Sequence, residues 1–185
     1  MRASSRRRLG VVIAGLAGAG LLCAGLAACQ NTAAPPAPDT ALAEAPFVKR
    51  PGVSLADATV ALVSLDGAPQ AEAGDFRDAL ARQFSANGVV AADARKARYL
   101  LRVYLAANAD EGGASLDYVV DVFDHARARQ ARLSDSFEVK GSGDAWSLMS
   151  TKALDAVASA CADNVAAFLS NTPQAKPAQA LSAAQ

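Results

Sequence analysis

Between Thr59 and Ser170 the apolar residues follow two rhythms, one of period two and one of three to four. "TVALVSL", Thr59–Leu65, is a short β-branched apolar run and predicts a buried strand. In "GDFRDALARQFSANG", Phe76, Leu80 and Phe84 fall four residues apart on one helical face. Asn87-Gly88 supplies a left-handed stop over which Val89 closes. "GVVAA" predicts a short strand. Then Tyr99, Leu101, Val103 and Leu105 alternate with Leu100, Arg102, Tyr104 and Ala106. After a turn at "DEGGAS", Leu116, Tyr118, Val120 and Val122 form a second apolar face, with Asp117, Asp121 and His125 pointing the other way. "ARLSDSFEVK" predicts a further strand with Leu133, Phe137 and Val139 inward. A long helix from about Asp144 to Ser170 closes the pattern, striped by Leu154, Val157, Ala158, Cys161, Val165 and Phe168. Asp144 is its expected N-cap, with Trp146 packed beneath the first turn. The order β-α-β-β-β-β-α predicts an α+β fold, a mostly antiparallel sheet of four to five strands with both helices on one face. The other face, bearing Arg102, Tyr104, Asp117 and Asp121, is left half wet and is the place to look for a partner.

The ends read differently. Arg2, Arg6, Arg7 and Arg8 precede an uncharged stretch, Leu9 to Leu26, which ends on the small residues Ala27 and Ala28. Basic start, apolar middle and small-residue end are the parts of a secretory signal, assigned to residues 1–28. The stretch is near the minimum for a transmembrane helix. Its five glycines weaken it as a permanent one, at about 1 kcal/mol each relative to Ala. Residues 29–47 form an Ala- and Pro-rich tether, partly extended by Pro35, Pro36 and Pro38. The globular domain is expected over 48–170, and 171–185 as a disordered tail begun by Pro173.

Charge changes the picture once the signal is removed. The mature chain carries 14 basic and 18 acidic residues, a net charge of −4, so no nucleic-acid partner is expected. It keeps two cysteines, Cys29 and Cys161, and Cys161 falls on the apolar helix stripe as an inert buried thiol.

No catalytic signature emerges. His125 is the only histidine, and no cluster has the ligand count of a metal site, so neither metal nor cofactor is expected. There is no nucleophile elbow, zinc-protease helix or phosphate loop. Asp117 and Asp121 are a candidate carboxylate pair for glycoside chemistry, although pairing with Arg102 or facing water accounts for them better. In "HARARQAR", Arg127, Arg129 and Arg132 crowd a turn between two strands of an otherwise acidic chain. They read as a solvated tip that gains little from folding, or as a contact for an anionic partner.

Leu26-Ala27-Ala28-Cys29 resembles the bacterial lipobox. That resemblance implies signal recognition and cleavage at Leu26, Ala27 and Ala28, and diacylation of the Cys29 thiol; two acyl chains make a stable anchor where one does not. Gln30 after the cysteine, by the same resemblance, favours the outer membrane, with the domain facing the periplasm. "LDGAP" (Leu65–Pro69), "YVVDVFD" (Tyr118–Asp124) and "GDAW" (Gly143–Trp146) resemble small envelope lipoproteins of alphaproteobacterial type and of uncharacterised function. The build is also similar to accessory lipoproteins of lipopolysaccharide assembly and ABC-type lipid transport. Ala145, where that group often has Pro, and "HARAR", where it often has a glycine turn, depart from the pattern. The expectation is a non-enzymatic accessory or binding component with an envelope protein partner. The alternatives are an envelope-polymer enzyme using Asp117 and Asp121, or a lipid- or glycan-binding module.

Overall fold

The computed structural model describes residues 47–178. The signal with Leu26–Ala28, Cys29, nearly all of the tether and the tail beyond 178 lie outside the described residues. The elements are β1 (Val53–Ser54), β2 (Val60–Asp66), α1 (Gln70–Ala86), β3 (Tyr99–Asp110), β4 (Gly113–Phe123), β5 (Arg129–Lys140), a 3-10 turn (Trp146–Leu148), α2 (Thr151–Ser170) and β6 (Lys176–Pro177).

Four strands form one sheet in the order β2-β3-β4-β5. β3, β4 and β5 are joined by hairpins and pair antiparallel. β2 pairs parallel with β3, because α1 carries the chain back to the starting end between them. The sheet is therefore mixed, and the fold is α+β.

The alternation in the sequence sorts the faces. Leu101, Val103, Leu116, Val120 and Val122 are fully buried on the inner face, beneath both helices. α1 lies over β2, α2 over β4 and β5, and the two helices pack side by side. Phe76, Leu80 and Phe84 are the buried stripe of α1, and α2 buries the whole stripe from Leu154 to Phe168. α2 is long and apolar enough to cross a membrane, yet here it is the core helix of the domain.

Some expectations are corrected. "GVVAA" is not a strand: only Ala91 bridges Val60, while Val89 folds under α1 by donating its N–H to the Phe84 carbonyl (2.9 Å). That bond, with Gly88 at φ +71°, is the Schellman-type stop of α1. α2 begins at Thr151, not near Asp144. Ser150 caps it, accepting from the Ala153 N–H at 3.3 Å, and Asp144 caps the preceding 3-10 turn through the Ser147 N–H (3.1 Å). Phe137 is on the inner face but lies beyond the cover of α2 and stays 39% exposed.

The segment expected as a tail from 171 is ordered as far as 178. Thr172 is buried, the Tyr99 hydroxyl donates to Gln174 Oε1 (2.6 Å), and Lys176–Pro177 pairs antiparallel with Val53–Ser54. Phe47, expected in the tether, packs edge-on against Phe168, with ring centroids 5.3 Å apart.

Candidate functional site: the open face of the sheet

No described element covers the outer face. Residues of even number on β3 and of odd number on β4 point there, and the register sets Arg102 opposite Asp121, Tyr104 opposite Val119, and Asp121 opposite Arg132. Asp121 is the only charged side chain buried among the described residues, at 4% exposure. A carboxylate so placed needs compensating donors. Arg132 donates to both of its oxygens, Nε to Oδ1 and Nη2 to Oδ2, each at 2.8 Å. Arg129 adds a looser contact at 3.7 Å. The bidentate fork is the strong geometry for this pair. Donating to the Asp121 carboxylate raises the already high pKa of Arg132 further, so the guanidinium is permanently charged.

Arg102, the cross-strand neighbour of Asp121, turns instead to Phe123, with its guanidinium carbon 5.8 Å from the ring centroid. Tyr104 stands beside this cluster, 37% exposed. Three guanidinium groups, two aromatic rings and one spent carboxylate thus share a flat, accessible surface. Arginine and aromatic side chains are the types enriched at binding hot spots.

Asp117 is also engaged. It accepts from Asn108 Nδ2 (2.8 Å) and from the Ser136 hydroxyl. Four residues along one strand at about 3.3 Å each set the Cα atoms of Asp117 and Asp121 about 13 Å apart. No group of three or more potential metal ligands occurs among the described residues.

The arginine-rich turn resolves into two parts. Arg129 and Arg132 belong to the sheet and hold Asp121. Arg127 alone occupies the tip, at φ +62°, a left-handed conformation that costs a non-glycine residue about 1 kcal/mol. Asp124 braces the turn, its carboxylate accepting from the Ala128 N–H (2.9 Å) and Gln130 Nε2 (2.8 Å). His125 is exposed in the same turn. The alternation marked Asp121 as outward, but its pairing with Arg132, read from the sequence as part of the turn, depends on an irregular register between Val122 and Phe123, where Gln130 is inserted. The strand pattern alone carries no trace of that insertion.

On the helix side, Tyr118 and Cys161 are buried in the core. The Tyr118 hydroxyl accepts from Asn164 Nδ2 (2.7 Å), and burial raises its pKa well above the ordinary tyrosine range. Burial pushes the Cys161 thiol up to about 12, so it is an inert thiol at neutral pH.

The sequence matches no protein-family model. Nor does any curated protein match it. Solved structures do share likeness with the chain. A minor lipoprotein from Acinetobacter baumannii is similar at 16% identity and a TM-score of 0.42, over 60% of this chain and 94% of that one. PelC from Paraburkholderia phytofirmans, crystallised as a dodecamer, is similar at 16% and 0.42, over 66% and 94%. A lipoprotein from Neisseria meningitidis is similar at 11% and 0.38, over 59% and 96%.

Proposed function

We propose that this chain is a lipid-anchored lipoprotein of the bacterial envelope, held through Cys29 in the outer membrane and facing the periplasm, and that it acts as a non-enzymatic accessory of an assembly or transport system. The observation that carries the accessory role is the one-sided sheet. Both helices cover the inner face, and the outer face presents Arg102, Tyr104 and the Arg132–Asp121 fork to whatever docks there. The anchor rests on Leu26–Cys29 at the end of a signal-like segment. A hydrolytic role for Asp117 and Asp121 is disfavoured by the donors that already occupy both carboxylates.

The test places a photo-crosslinking residue at position 104, or at the exposed Arg77 on α1, in the full-length chain in intact cells. One discrete protein product from position 104 and none from 77 is expected. Equal capture at both positions, or capture of lipid or glycan alone, overturns the protein-docking reading. Cys29→Ser should abolish acyl labelling and leave an unprocessed or soluble species; normal size and membrane fractionation refute the anchor.

A further inference from the structure

The charges of the domain are sorted between the two ends of its sheet. The register fixes the two ends of the sheet. Leu100 lies opposite Phe123, and Phe123 opposite Arg129, so the 124–128 turn shares one end with Arg98 and the start of β2. The other end holds the β3–β4 turn and the close of β5, while β2 stops half-way, at Tyr104.

The first end is basic. Lys96, Arg98 and Lys176 line an open cleft with Ala56, Thr59 and Gln174; its one carboxylate, Asp57, is ion-paired with Lys176, which lowers the Asp57 pKa. Lys96, Arg98 and, at the turn, Arg127 make no ion pair among the described residues. The second end is net acidic, with Asp110, Glu111, Glu138 and Asp144 against Lys140. For a mature chain of net charge −4, a basic end is a departure from the average.

The basic end is also where the chain leaves toward Cys29. Phe47 packs on Phe168, Phe168 packs on Tyr99 (5.6 Å between centroids), and Tyr99 bonds to Gln174 in the cleft wall. Val48, next to it, is 79% exposed. Only residues 30–46 separate this end from the cysteine. A stretch of that length spans at most about 60 Å, so the domain stays within reach of the surface that holds its anchor.

We infer that the Lys96–Arg98–Lys176 cleft and the Arg127 tip form a membrane-facing surface that docks on anionic lipid headgroups. This rests on the anchor at Cys29. The lipid fixes the chain to the bilayer, and the basic end orients the domain so that the acidic end points away and the open sheet face stands across the membrane plane. Each basic residue near an anionic surface contributes about 1 kcal/mol, about fivefold in occupancy. With the anchor supplying a high local concentration, a few such residues set orientation without needing affinity of their own.

The experiment uses the lipidated chain in vesicles of phosphatidylglycerol with phosphatidylethanolamine, or of phosphatidylcholine alone, and reads lysine acylation by mass spectrometry. On the anionic vesicles Lys96 and Lys176 should react several-fold more slowly than on the neutral ones, with Lys140 and Lys152 unchanged. Raising salt to about 0.5 M, where the Debye length is about 4 Å, should remove the difference. Arg98→Gln should weaken the protection of Lys96 by about fivefold. Equal reactivity on the two vesicle types, or equal protection of Lys140 and Lys152, overturns the inference. Protection by inorganic phosphate without vesicles makes the cleft a small-anion site and overturns it too. Acyl labelling of the same sample reports the anchor separately. Were Cys29 bare, the anchor reading would fail on its own, and the same chain coupled through Cys29 to a maleimide-bearing lipid in these vesicles would still read the surface.

Discussion

Replacing Arg132 with Met should destabilise the domain more than replacing Asp121 with Asn, although the first breaks one ion pair and the second two. The reason is which partner is buried. Asp121 has a side-chain exposure of 6% against 43% for Arg132. Arg132→Met keeps the aliphatic stem over the sheet but strips the carboxylate of its two 2.8 Å donors, leaving Arg129 at 3.7 Å. An uncompensated buried charge costs ~3–5 kcal/mol; with Arg129 remaining and water close by, about 2–3 kcal/mol is expected. Asp121→Asn instead leaves two half-exposed guanidinium groups that water resolvates, a cost of about 1 kcal/mol. Combining Asp121→Leu with Arg132→Met leaves no charge to bury, and the pair should cost less than Arg132→Met alone. Urea unfolding measures all of this. With a slope of ~1–3 kcal/mol/M, Arg132→Met should lower the midpoint by about 1 M or more, and Asp121→Asn by about half as much. A larger loss for Asp121→Asn, or strictly additive losses in the double variant, refutes the view that the arginine serves the buried acid.

Other outcomes follow from the packing. Ending the chain after 171 removes buried Thr172, the Tyr99–Gln174 bond and the β1–β6 ladder, and should lower stability by about 2–3 kcal/mol relative to a chain ending at 178, by thermal melts of the two. Gly67→Ala should cost about 3 kcal/mol or prevent folding, since φ is +92° and a Cβ there meets the Leu105 carbonyl oxygen at 2.1 Å; Gly74→Ala, in α1 with open space around it, should stabilise by about 0.5–1 kcal/mol, and equal effects in calorimetry would refute the contrast. Alkaline stability should fall between the ordinary thiol pKa of 9.0 and about 12, because Cys161 ionises when unfolded but stays protonated when folded. Below 9.0 that contribution is complete, and Cys161→Ala should flatten the decline of unfolding free energy by up to about 1.4 kcal/mol per pH unit.

How much of this was legible in the sequence depends on the range of the signal. Tyr99–Leu105 and Leu116–Val122 declared their faces because period two is a local property, and the stripes of α1 and α2 did so for the same reason. The single bridge at Ala91 was not legible: "GVVAA" has strand composition, but its backbone is taken by the stop of α1. The helix start was ambiguous because Asp144 and Ser150 are both good caps, and the 3-10 turn uses one of them. The outer face was legible as a surface, whereas the fork of Arg132 on Asp121 needed the hairpin register. The ordered segment through Pro177 had no periodicity to betray it, since two residues of ladder and a few polar contacts fix it.

That short ladder has a consequence for the order of assembly. Val53 pairs with Pro177 across 124 positions, so the first strand of the domain waits for the last. Closing a loop that long costs about 2 kcal/mol more than closing ten residues. A chain is made amino end first, and β3, β4 and β5 can zip to their neighbours as they arrive. Residues 47–54 gain their pairing partners only when the carboxyl end is through. The stretch that joins the tether to the domain is thus the last to be sealed. A chain with a nearly complete core still carries Val53–Ser54 unpaired, and an end clipped before Lys176 leaves them without their ladder.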